Sequence, residues 1–306
     1  MASVPRIMFH SKRRTVLLTA ALLLCLLAVP FLAEAFDVLI VKDADIKPYR
    51  DAIEGFKSAC GCEVREMDLS DIGALERAVK ARPDAVIAVG TESFRKVSRL
   101  KTIPIIYTMV IPSETAALSA DNLSGVSMEI APESYLSAIA ELFPTVKRVG
   151  VLFDPSTTGA FVQNALDAAR DKGITLVLKT VRDPRNMPAR IDELKDKIDL
   201  LWMLPDATIS NPDSIEYVML FSFQHNLPVF SFSKKTVALG AVAALNVNPY
   251  DMGAQAGAIT RRLLQGEKGP VRAYAQGPRM LVNQKVAVKI GVKLNERIFK
   301  HAETVE

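Results

Sequence analysis

Short apolar runs alternate with longer amphipathic segments along most of the chain. Residues 38–41 and 85–89 have the length and composition of buried strands, and residues 46–59 place Tyr49 and Ile53 on one helical face. This alternation is typical of parallel sheets whose strands are connected through helices by right-handed crossovers.

The alternation loosens after Pro112 and starts again at Arg148. We therefore predict an α/β fold with two doubly wound parallel-sheet lobes, joined by a multi-strand hinge. The first lobe spans residues 36–130 and the second spans residues 145–248.

Residues 249–300 follow the second lobe and complicate a simple tandem arrangement. Residues 249–265 form an amphipathic pattern in which Gly253 and Gly257 allow close packing, and residues 280–291 add a strand and a helix. We expect this tail to complete the first lobe, so that the chain crosses between lobes three times.

Residues 1–35 have the pattern of a secretory signal. Basic residues without an acidic neighbour precede an apolar run over residues 16–32, which ends in the small-x-small triplet Ala33, Glu34 and Ala35. We predict cleavage after Ala35 and a periplasmic or otherwise exported protein. An uncleaved anchor is the alternative, because about 17 apolar residues come close to the length of a spanning helix.

The signal accounts for most of the net charge. The chain has 38 basic and 34 acidic residues, and residues 1–35 contain four and one of them, which leaves 34 − 33 = +1. A nearly neutral chain has no electrostatic feature that favours nucleic acid or a membrane surface as a partner.

Two cysteines remain after the signal, Cys60 and Cys62. They could form a local disulfide or stay as two thiols in a turn. The histidines outside the signal, His225 and His301, are distant in sequence, so we expect no metal site. We also expect no cofactor.

The motifs of common enzyme classes are missing from the sequence. It contains no Gly-x-Ser-x-Gly, Walker A, Gly-x-Gly-x-x-Gly or His-Glu-x-x-His pattern. We therefore predict no catalytic residue and no enzyme activity.

Hydroxyl groups follow the predicted strands where a ligand would bind, since open α/β sheets bind ligands beyond the carboxyl ends of their strands. Asp154 and Asp206 follow two of these strands and could pair with an ammonium group. Helix capping is the alternative role for each such residue.

Several segments together resemble the exported substrate-binding proteins of ABC transporters, in particular the tryptophan-binding-like group with the type I periplasmic-binding fold. The resemblance covers residues 37–295. The segments that carry it are DAVIAVGTES (84–93), KTIPIIYTMV (101–110), NLSGVS (122–127), LFPTVKRVGVLFDPS (142–156), DLLWMLPDATI (199–209), LPVFSFS (227–233) and NPYDMGAQAG (248–257).

This resemblance implies capture of a small molecule between two lobes that then meet an ABC permease. It also implies that the carboxylate of Asp206 binds the amino group of an amino acid. The chain departs from the family at Ile111, Pro112 and Ser113, where relatives often have a Ser-Asp-Pro-like turn. With Tyr250 added as a stacking aromatic ring, the predicted ligand-binding residues are Thr91, Ser93, Thr108, Ser156, Thr157, Asp206, Thr208, Ser233 and Tyr250.

The first functional hypothesis is a monomeric exported solute-binding protein that captures an amino acid or aromatic compound for an ABC permease. A periplasmic sensing module that acts with a membrane receptor is the alternative. An enzyme on the same scaffold is the third hypothesis.

Overall fold

A computed structural model of the protein describes residues 36–70, 72–115 and 120–306, and the predicted signal lies outside them. The strands are β1 Asp37–Lys42, β2 Glu63–Asp68, β3 Ala85–Val89, β4 Ile105–Val110, β5 Leu123–Ser127, β6 Arg148–Phe153, β7 Thr175–Thr180, β8 Leu200–Met203, β9 Val229–Ser231, β10 Ala243–Asn246, β11 Arg272–Tyr274, β12 Arg279–Val282 and β13 Glu303–Thr304. The helices are α1 Lys47–Cys60, α2 Ile72–Lys80, α3 Thr91–Val97, α4 Pro112–Thr115, α5 Pro132–Leu142, α6 Gly159–Asp171, α7 Met187–Asp192, α8 Pro212–His225, α9 Lys234–Ala238, α10 Pro249–Leu264, α11 Gln284–Lys289 and α12 Glu296–Phe299.

The first sheet contains six strands in the order β11-β5-β4-β3-β1-β2, and every neighbouring pair is parallel. Its two faces are both covered. Ile40 packs with Phe56 of α1 on one face, whereas Leu39 packs with Phe94 of α3 on the other. Burial on both faces explains why these strands are continuous apolar runs rather than alternating ones.

The second sheet contains seven strands in the order β13-β12-β10-β9-β8-β6-β7. All pairs are parallel except β10 with β12, which is antiparallel. The prediction of two parallel-sheet α/β lobes joined by several crossings is confirmed.

The sheet to which residues 280–291 belong differs from the prediction. Helix α10 and strand β11 do belong with the first sheet, but β12 pairs with β10 in the second sheet, from Ala243 opposite Val282 to Asn246 opposite Arg279. The expectation that residues 280–291 return to the first lobe is therefore wrong, because β10 leaves an edge that β12 fills. The sheet memberships still give three crossings, between β5 and β6, between β10 and α10, and between β11 and β12.

Helices α1 and α10 pack so closely that their backbones are in contact at two glycines. A Cβ atom added at Gly253 would lie 1.8 Å from the carbonyl oxygen of Ala52, and one at Gly257 would lie 2.5 Å from that of Phe56. The two glycines four residues apart therefore allow the close packing that their spacing predicts.

Cys60 and Cys62 form a disulfide with their Cα atoms 5.4 Å apart. Cys60 is the last residue of α1, and Gly61 ends the helix in the left-handed conformation with φ of 67°. The structure thus selects the disulfide over two free thiols.

Within the described part of the chain, no helix combines the length and the apolar character needed to cross a membrane.

Candidate functional site

The first polar cluster lies at the carboxyl ends of β1 and β3. Because these strands are neighbours, Asp43, which follows β1, lies beside the first turn of α3. Its Oδ2 atom accepts hydrogen bonds from the backbone N–H groups of Glu92 at 2.8 Å and Ser93 at 3.4 Å. The chain's own carboxylate thus occupies the end of α3 where the helix dipole favours negative charge.

Gly90 and Tyr49 complete this cluster. Gly90 has φ of 98°, and a Cβ atom there would lie 2.5 Å from Oδ1 of Asp43 and 2.7 Å from the hydroxyl of Tyr49. Burial, followed by the neighbouring charge and hydrogen bond of Asp43, raises the pKa of Tyr49 to about 12. The phenol therefore stays protonated and can donate to the carboxylate.

Three predicted ligand-binding residues lie at the first sheet, Thr91 and Ser93 in α3 and Thr108 in β4. Thr91 is partly exposed, and its Oγ1 accepts from the backbone N–H of Ile111 at 3.4 Å. Ser93 and Thr108 are fully buried, and their hydroxyl groups have no hydrogen-bond partner among the described residues. Since buried polar groups are normally paired, these two hydroxyls have bonding capacity that the fold does not use.

The second polar cluster joins the loops after β6 and β8, which are also neighbours. Asp206 is fully buried. Its Oδ2 accepts from the hydroxyl groups of Thr157 at 2.7 Å and Thr158 at 2.5 Å and from the backbone N–H of Asp154 at 2.9 Å, while Oδ1 accepts from the N–H of Thr208 at 2.9 Å. Asp206 therefore ties together two loops that are about fifty residues apart.

Asp154 closes the same network from the other side. It accepts from the backbone N–H and the hydroxyl of Ser156, at 2.9 and 2.7 Å, and from the hydroxyl of Thr208 at 2.8 Å. These bonds, those to Ser156 first, lower the pKa of Asp154, and the charge of Arg182 adds a smaller contribution. The carboxyl group is therefore ionised at neutral pH.

The other two predicted residues lie outside both clusters. The Ser233 hydroxyl accepts from the backbone N–H of Thr236 at 3.2 Å and so caps α9. Tyr250 is 41% exposed in the first turn of α10, where its N–H donates to Oδ1 of Asn248 at 3.2 Å.

The side chain of Tyr274 is influenced by groups from both sheets. Tyr274 is the last residue of β11 in the first sheet, and the side chain of Asn164 in α6, the helix that follows β6 of the second sheet, is near enough to lower the pKa of Tyr274 slightly. Burial and the charges of Glu129 and Glu133 raise the pKa of Tyr274, and burial alone raises the pKa of Glu129. The ends of both sheets therefore approach each other near Glu129.

Sequence reasoning missed Asp43, Tyr49 and Glu129. Asp43 carried a usable signal, because it directly follows a buried strand, as Asp154 does. Among the described residues no group of three or more His, Cys, Asp and Glu side chains could hold a metal ion.

The comparisons with known proteins agree with this architecture. Residues 42–306 match the family model described as ABC transporter substrate binding protein. The chain belongs to this family.

A curated relative is the tyrosine-binding protein of Clostridioides difficile (strain R20291), which is 25% identical over 198 residues. The match spans 62% of this chain and 57% of that protein. Among solved structures, the ligand-free, open structure of a substrate binding protein with adhesive properties from Clostridium difficile has a TM-score of 0.66 at 20% identity and covers 89% of this chain and 99% of its own. The ABC domain in complex with L-Trp from Streptococcus pneumonia has a TM-score of 0.56 at 20% identity and covers 89% and 100%.

These likenesses show the type I periplasmic-binding fold. The family to which the chain belongs is that of the substrate-binding proteins of ABC transporters.

Proposed function

We propose that the protein is exported and captures a small molecule, an amino acid or an aromatic compound, between its two sheets for delivery to an ABC permease. The observation that carries this proposal is the pair of polar clusters at the carboxyl ends of the parallel strands of the two sheets. Ligands bind at this edge in open α/β sheets. The named ligands of the relatives, tyrosine and tryptophan, support the choice of ligand class.

In this proposal the lobes are residues 36–130 with 249–275, and residues 145–248 with 279–306, as their sheets group them. The crossings act as the hinge. In this proposal the protein is a monomer and binds its ligand without catalysing a reaction.

The nine predicted residues differ in how well they suit a ligand. Ser93 and Thr108 suit one best, because a ligand would supply the partner that their buried hydroxyls lack. Asp206 has both carboxylate oxygens engaged, so it shapes the site by holding Thr157 and Thr208.

The ligand is identified by isolating the protein from its host and analysing the small molecules released on denaturation by mass spectrometry. We expect one amino acid or aromatic compound in near-stoichiometric amount. Repeated isolation of protein without any small molecule would contradict the proposal.

Thr108→Val tests the site with that ligand. Since the hydroxyl has no protein partner, we expect unchanged stability and at least tenfold weaker binding by calorimetry. Thr260→Val is the matched control, because that buried hydroxyl already donates to the carbonyl of Ala256 at 2.9 Å in α10. Equal affinities of the two variants would remove Thr108 from the site.

Export predicts Phe36 as the N-terminal residue of the periplasmic protein. Peptide mass fingerprinting of that fraction tests it. Met1 retained in a membrane fraction would indicate the anchor instead.

A further inference from the structure

A cavity of about 290 Å³ lies outside both polar clusters. Its lining residues come from α5, β10, β12, α12 and the segments next to them, whereas the clusters lie in the loops after β1, β3, β6 and β8. A volume of roughly 300 Å³ is at the lower end of the range of small-molecule sites. The cavity is therefore large enough to hold a small ligand of its own.

Part of the lining of this cavity is apolar. Leu245 of β10 and Met280 of β12 are directly opposite each other in the antiparallel pair, and both line the cavity. Ala138 of α5 and Ile298 of α12 line it from the helices that cover this sheet. A ligand in the cavity would thus have an apolar surface to contact.

Four polar side chains line the same cavity. Ser134, Ser137 and Glu141 lie on one face of α5, because they are three and four residues apart, and His301 follows α12. The side chains of all four make no hydrogen bond or ion pair with another described residue. An apolar lining with a few converging polar groups is typical of a small-molecule site.

Two hydrogen bonds hold the walls of the cavity together without using these four side chains. The side-chain amide of Asn295, just before α12, donates to the backbone carbonyl of Glu141 at 3.0 Å. Its backbone N–H donates to the carbonyl of Leu142, also at 3.0 Å. The start of α12 is thereby fixed to the end of α5, so the cavity is formed without a ligand.

The cavity borders the segments that connect the two sheets. Pro278, which also lines it, lies in the crossing between β11 and β12. In the same crossing, the N–H of Ala275 donates to the carbonyl of Glu129 at 2.9 Å, and the N–H of Gln276 donates to Oε1 of Gln255 in α10 at 3.2 Å. Glu129 follows β5 and α10 follows β10, so all three crossings meet beside this cavity.

The charges of the lining distinguish between ligand classes. None of the nine lining residues is Lys or Arg, and Glu141 supplies a carboxylate, which attracts a cation and repels an anion. The two serine hydroxyls can accept further hydrogen bonds from an ammonium group. We propose that the cavity is a second small-molecule site, beside the crossings, that binds a small amphipathic amine through Glu141 and the apolar pair Leu245 and Met280. This site is separate from the one between the two sheets.

Three compounds with the same apolar chain test the ligand class by isothermal titration calorimetry of the mature chain. They are n-hexylamine, n-hexanol and hexanoate, which are cationic, neutral and anionic at neutral pH. We expect hexylamine to bind about fivefold more tightly than hexanol, which is the effect of an ion pair at a partly exposed position, and hexanoate to bind most weakly. Hexylamine that does not bind, or that binds no more tightly than hexanoate, would overturn the inference.

Glu141→Gln tests the carboxylate. Because the fold does not use this side chain, we expect unchanged stability and an affinity for hexylamine that falls about fivefold, to that of hexanol. Asp167→Asn is the matched control, an equal charge change at a 77% exposed side chain of α6 that does not line the cavity, and it should leave both affinities unchanged. Equal affinities of the two variants for hexylamine would contradict the role of Glu141.

Hydrogen–deuterium exchange with hexylamine locates the bound amine and separates this inference from the proposed function. We expect slower exchange in residues 278–280 and 298–301, which line the cavity, and no change in residues 90–93 and 154–158. Protection at residues 90–93 or 154–158 instead would place the amine at the polar clusters and overturn the second site, while leaving the binding function intact. Protection at the cavity in a protein that never carries a co-purified molecule would support the second site and contradict the proposed function.

Discussion

Replacement of Gly253 by alanine tests the close packing of α10 on α1. Helix α10 follows β10 of the second sheet and packs beside the first sheet. The new Cβ atom would lie 1.8 Å from the carbonyl oxygen, 2.6 Å from the carbonyl carbon and 2.8 Å from the Cα of Ala52. All three are backbone atoms in the middle of α1, so no side-chain rotation relieves the overlap. The helices must separate.

The cost follows from the packing that this separation disturbs. Ile53 and Phe56 of α1 and Met252 and Ala256 of α10 are buried in one cluster at the interface. Overpacking costs up to about 3 kcal/mol when neighbours must shift. Alanine recovers about 1 kcal/mol of helix propensity over glycine. The net loss is about 2 kcal/mol, which lowers the Tm of a chain this size by about 4–8 °C.

Thermal unfolding followed by circular dichroism measures the effect. Gly159→Ala is the control, because its Cβ atom would meet only the Cβ of Pro155 at 3.8 Å at the start of α6. We expect the control to unfold at the wild-type temperature or slightly above it. A Gly253→Ala protein as stable as the control would refute the close packing of α1 on α10.

Three further predictions concern the polar groups and the disulfide. Asp206→Ala should destabilise the fold by up to about 3 kcal/mol, since it leaves the buried N–H of Asp154 without an acceptor and removes the bonds from the hydroxyls of Thr157 and Thr158; an unchanged Tm in calorimetric scans would argue against this network. Cys60→Ser with Cys62→Ser should leave ligand affinity intact and cost at most about 2 kcal/mol, because the loop is very short; loss of binding would show that the disulfide shapes the site. Burial raises the pKa of Glu129 above its usual 4.5, so its contribution to stability is present below pH 4.5 and is lost as the pH rises through the folded-state pKa. Glu129→Gln should therefore raise the Tm at pH 7 but not at pH 4, and equal shifts at both would contradict the burial argument.

The strands of both sheets could be predicted because burial on two faces leaves a strong local pattern. Residues 85–89 were predicted with the bounds that β3 shows, and the point at which the alternation starts again, Arg148, is the first residue of β6. Strand β11 was missed, since its three residues alternate between exposed and partly buried and carry no apolar run. Strand β12 joins the second sheet because it pairs with the free edge of β10. The local pattern of apolar and polar residues does not show which sheet a strand joins.

The loops that follow the strands were predicted more successfully than the roles of their side chains. Ser156, Thr157, Asp206 and Thr208 do come together, as the strand order requires. All four hydrogen bonds of Asp206 are made within the protein, and they depend on contact between two loops that are distant in sequence. The sequence does not reveal this contact, so it left capping and ligand binding as alternatives for Asp206.

Hydrogen–deuterium exchange with and without the molecule recovered from the native protein tests the central claim of capture between two sheets. We predict slower exchange in both residues 90–93 and residues 154–158 when the ligand is present, since these segments lie between a strand's carboxyl end and the start of α3 or α6. Protection confined to one sheet, or located away from both loops, would contradict it.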